Sequence, residues 1–92
     1  MDNQGTKNLK AIASDIADGY VSINPLYLKP FNEASLKSLY SIIMKLQAGI
    51  RAEPFPHRDV ELIRKRGLKL QRLYTAIIVI KNTAREKKYK FL

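Results

Sequence analysis

Between Arg58 and Lys90 the chain carries its acidic residues Asp59 and Glu61 first and Arg85, Lys87, Lys88 and Lys90 last. That is the charge order a helix dipole favours, negative near the N-terminus and positive near the C-terminus. Val60, Ile63, Gly67, Leu70, Tyr74, Ile77, Lys81 and Ala84 succeed one another at alternating steps of three and four, with Leu73 and Ile80 flanking them. Such spacing marks one face of an α-helix. The stretch therefore predicts a long amphipathic helix starting near Pro56 or His57. Thr75–Ile80 is the exception, since five of its six residues are β-branched and would suit a buried strand. No other segment supplies a partner strand, and the dipole signature spans the run, so the helical reading prevails.

A helix of about 32 residues is roughly 48 Å long, against roughly 27 Å for a neighbour of about 18. Three outcomes accommodate the overhang: a break or bend at Gly67, pairing with a second copy, or a tip that projects to bind something. A break or bend at Gly67, or dimer formation, is expected. Exposed Ile77, Ile78, Val79 and Ile80 would otherwise invite aggregation.

The rest of the chain reads as shorter helices. Residues 1–5 are polar and expected to fray, and Thr6 is placed to cap a first helix. Leu9, Ile12, Ala13, Ile16, Ala17 and Tyr20 form an apolar stripe, and Gly19 suits the C-terminal cap. Asp15 and Asp18 stand near that end with the wrong sign for the dipole, so packing must hold this helix. Asn24-Pro25 opens a short helical turn in a connector, Tyr20 to Phe31, whose apolar residues are expected to fill part of the core. Asn32 caps a helix over about 33–50, with Leu36, Leu39, Tyr40, Ile43, Gln47 and Ile50 on its stripe. Pro54 and Pro56 end it and stiffen the link, with Phe55 expected as an anchor.

The whole is predicted to be one all-α domain, residues 1–92, a small bundle of three or four helices with a long basic C-terminal helix. Ninety-two residues suffice for one domain with a modest core. The longest apolar run, Ala76–Ile80, has five residues, far short of the roughly 18 a membrane span needs. The N-terminal residues do not resemble a signal peptide, and a cytoplasmic location is expected.

Catalysis finds no footing. The chain has no cysteine and one histidine, His57, so the usual zinc sites lack ligands. Asp15 and Asp18 share a helix face but nothing in the sequence splits their environments for acid–base work. The serines have no histidine at helical spacing, and the four glycines are scattered. Neither enzyme activity, a metal nor a cofactor is expected.

Charge points to binding. Of the net +9, residues 51–92 hold +8, with twelve Lys or Arg against four acids. A wheel at about 100° per residue gathers Arg58, Lys65, Lys69, Arg72 and Lys87 within an arc of about 60°, nearly opposite the Ile63, Leu70, Tyr74 and Ile77 seam. Arg64 and Arg66 point elsewhere, with the Arg66 stem near the apolar stripe. The expected function is presentation of this basic ridge to a polyanion, nucleic-acid backbone first, an acidic protein surface or an anionic membrane second. A purely solvated face is the simplest alternative. Ile42, Met44, Leu46, Ile78 and Val79 fall outside the seams and suggest a different role, a homodimer or adaptor face. The Tyr89–Leu92 tail can dock on its own bundle, a partner or a membrane surface.

Overall fold

The computed structural model describes residues 4–91, with side chains from Asn8 onward. Four helices follow in order: α1 (Gln4–Asp18), α2 (Pro25–Leu28), α3 (Glu33–Ala52) and α4 (Val60–Glu86). Among the described residues there is no strand, and no helix is long and apolar enough to cross a membrane. The fold is a small all-α bundle. Of the segment expected to fray, Gln4 and Gly5 begin α1, while residues 1–3 lie outside the described residues. Thr6 stands inside α1 rather than at its cap.

Local chemistry sets most helix ends. The side chain of Asn32 accepts from the Ser35 N–H at 2.8 Å, and Ser35 Oγ accepts from the Asn32 N–H at 3.0 Å. This reciprocal pair fixes the start of α3. Asn24 accepts from the Tyr27 N–H at 2.8 Å and starts α2, with Pro25 at its first position. Asp59 caps α4 by accepting from the Leu62 N–H at 3.1 Å, so α4 begins three or four residues later than expected. Its carboxylate is better used outside the first turn than within it.

Two helices end in the same way. Gly19 takes a φ of 88°, and its N–H and that of Tyr20 donate to the Ile16 and Asp15 carbonyls at 3.1 and 2.9 Å. Lys88 takes a φ of 62°, with Lys88 and Tyr89 donating to Arg85 and Ala84 at 3.1 and 2.9 Å. Both are Schellman caps, the second built without glycine.

α1, α3 and α4 each pack on the other two, and α2 lies against α4. Leu9, Leu28, Leu36, Leu39, Ile43, Leu73 and Ile80 are the largest fully buried side chains. Ala13 and Ala17 let α1 approach closely. The connector fills part of the core with Ile23 and Leu28, as expected, while Tyr20 and Leu26 stay outside. Phe55 is exposed, not an anchor in the core. Its ring meets the His57 ring at a tilt of 59°, centroids 4.9 Å apart, and lies under the Arg66 guanidinium at 5.3 Å.

α4 runs without interruption through Gly67, so no break forms there. The length problem is solved differently. α4 has 27 residues and α3 has 20, so the mismatch is only about 10 Å. All buried residues of α4 lie in its second half, Leu73 to Ala84, and its first turns extend past the core. The tail docks on its own bundle: Tyr89 Oη donates to the Phe31 carbonyl at 3.2 Å, and the Phe91 ring lies 5.8 Å from Tyr40.

Candidate polyanion interface

The azimuth of α4 differs from the expected one by roughly 90° at about 100° per residue. Its buried side is centred on Leu73 and Ile80, and Tyr74, expected in the seam, is 57% exposed. The reason is the run Ala76–Ile80, apolar around the whole circumference. Periodicity cannot choose a face there, and the surfaces of α1 and α3 choose it instead. As a result Lys65, Lys69, Arg72 and Lys87 lie on or beside the inward face. The stems of Lys69, Arg72 and Lys87 reach over the ends of neighbouring elements to polar partners, while Lys65 stays exposed.

Lys87 is committed to the fold. Its Nζ donates to the carbonyls of Leu28, Lys29 and Phe31 at 3.2, 2.9 and 3.0 Å. An ammonium has three protons, and all three are used. It ties the end of α4 to the carbonyls at and just beyond the end of α2, and is no part of a basic ridge. Arg58 also leaves the ridge, for it sits in the turn before α4 and not on the helix.

Arg72 and Lys69 meet the C-terminus of α1. Arg72 Nη1 donates to the Ala17 carbonyl at 3.0 Å, and Lys69 Nζ lies 3.7 Å from Asp18. These cations offset the dipole and carboxylate charge that α1's own sequence leaves uncompensated. The guanidinium fits because residue 19 is glycine: a Cβ there would stand 2.9 Å from Arg72 Cζ. Both side chains of the Lys69–Asp18 pair are over 40% exposed, so it adds at most about 1 kcal/mol.

What remains is a cluster beside this cap. Arg64, Lys65, Lys69 and Arg72 line an open cavity of about 410 Å³ with Asp18, Tyr20 and Leu68. Four cations thus face one carboxylate. Arg64 is held by Glu61 at 3.2 Å, an exposed pair one turn apart. Comparison of the chain with protein-family models, curated proteins and solved structures finds no match. Its functional reading rests on its own geometry.

The structure brings together Lys65, Lys69 and Arg72 of the expected ridge and separates Arg58 and Lys87 from them. It adds Arg64 and Tyr20. The spacing of α1 puts Tyr20 on its apolar stripe, yet Tyr20 is 81% exposed. The signal was present in the sequence: Gly19 ends the helix, so the residue after it leaves the stripe. The Arg66 guanidinium lies over the Phe55 ring. Among the apolar candidates, Ile42, Leu46 and Val79 pack against the core, whereas Met44 and Ile78 are each 41% exposed.

Proposed function

We propose that this chain is a non-enzymatic, cytoplasmic binding protein that offers the first half of α4 to a polyanion, nucleic-acid backbone above all. The observation that carries this reading is the convergence of Arg64, Lys65, Lys69 and Arg72 on one open cavity with a single carboxylate. Lys65 is exposed, and Lys69 and Arg64 have only exposed carboxylate partners that a phosphate can replace. Arg72 supplies charge from a fixed position. About three phosphates neutralised on a single strand give a log–log salt slope near −2, so affinity drops roughly 16-fold between 50 and 200 mM salt. Titration of labelled DNA and RNA at both salt concentrations tests this, with Lys65→Glu as the charge reversal. Absent binding at low salt, or binding indifferent to salt and to Lys65→Glu, refutes it.

A second reading has its own support. Val60, Tyr74 and Ile78 lie on one outward stripe of α4, and all are exposed. Such a stripe suits self-association or docking of a partner helix. The molar mass in solution decides: a dimer indifferent to salt favours assembly, and a strict monomer removes the homodimer.

A further inference from the structure

We infer that the polyanion taken by this face is single-stranded nucleic acid, with one base stacked on Tyr20 and neighbouring phosphates on Arg64, Lys65 and Lys69. This deepens the polyanion reading and rests on it. Tyr20 is the most exposed large apolar side chain among the described residues, at 81%. Its backbone is nonetheless pinned, since its N–H closes the α1 cap by donating to the Asp15 carbonyl at 2.9 Å. In this motif the residue at that position usually packs back on the residue five before it. Here that residue is Asp15, which offers no apolar surface, so the cap makes no use of the ring. The ring stands on a fixed pedestal at the edge of the cavity that the four cations line.

An accessible aromatic beside a short run of cations is the arrangement that holds single strands: the cations follow the backbone and the ring stacks a base. Arg64 to Arg72 covers about 12 Å of helix, enough for only a few phosphates. A duplex would satisfy the cations and leave Tyr20 idle, because its bases are already stacked on each other.

The test uses the full chain and labelled oligonucleotides of about 15 residues, poly-dT, poly-rU and a duplex, read by fluorescence anisotropy at about 50 mM salt. Tyr20→Ala is expected to weaken single-strand binding by about 5- to 100-fold and to leave duplex binding unchanged. Tyr20→Phe keeps the affinity, and Tyr20→Leu, which has apolar bulk but no π-face, loses it. Melting of all three at the parent temperature separates lost stacking from lost fold. Preference for either dT or rU over duplex supports the inference and tells which sugar is read. Equal affinity for single strand and duplex with Tyr20→Ala silent overturns it, while Lys65→Glu still weakening both keeps the polyanion reading. No binding to any oligonucleotide ends both. Poly-glutamate binding as tightly as poly-dT overturns the inference in favour of an acidic protein.

Discussion

Replacing Lys87 by Met removes a charge but keeps the length and apolar stem of the side chain. Three donated bonds vanish, those to Leu28, Lys29 and Phe31. Hydrogen bonds from a charged donor contribute about 1.5–3 kcal/mol each. Their plain sum overstates the loss. The Leu28 carbonyl also accepts from the Phe31 N–H at 3.0 Å, and the Phe31 carbonyl from Tyr89 Oη at 3.2 Å, so neither is orphaned. The bond to Lys29 is exposed, and water replaces it. A net cost of about 2–3 kcal/mol follows, weighted toward the two part-buried bonds. For a chain of 92 residues, each kcal/mol shifts Tm by about 4–8 °C, so Lys87→Met is expected to melt about 10–20 °C lower. Circular dichroism at 222 nm reads the transition, and urea unfolding gives the free energy. Lys81→Met is the control, an exposed lysine on the same helix, expected within about 0.5 kcal/mol of the parent. Below its melting temperature Lys87→Met should bind polyanions as the parent does. A melting temperature no lower than the control's refutes the structural role of Lys87, and a lost affinity with intact fold returns it to the binding surface.

Three further outcomes can be checked by the same melts. Gly19→Ala is expected to cost about 1–2 kcal/mol, since residue 19 is left-handed and the added Cβ must push the Arg72 guanidinium off the α1 cap. Lys88→Gly is expected to stabilise by about 1 kcal/mol, because a left-handed φ of 62° strains every residue with a Cβ. Gly67→Ala is expected to stabilise by about 0.5–1 kcal/mol, for residue 67 is mid-helix and nothing lies within 4 Å of the added Cβ. A destabilised Gly67→Ala would mean that the helix is not continuous there.

Much of the fold was legible because its determinants act over a few residues. Asn24, Gly19 and Asn32 set helix ends through bonds to backbone groups at most three positions away or through a single φ, and each end is where that chemistry puts it. The stripes of α1 and α3 were legible because each repeats at helical spacing along its helix with mostly polar residues on the opposite face. The α4 stripe was not, because Ala76–Ile80 is apolar all round and leaves the azimuth undetermined.

That one angle governs the candidate site. The sequence by itself determined an all-α chain with its excess charge in residues 51–92 and with caps at Asn24, Asn32 and Gly19. Only the tertiary structure decided that Lys87 holds the connector, that Arg72 closes α1 over Gly19, and that Arg64 and Tyr20 join Lys65 and Lys69. The physical reason is range. Capping and dipole effects are settled within a turn of the chain, whereas the direction in which a lysine stem lies depends on which neighbouring helix covers the greasier side of its own.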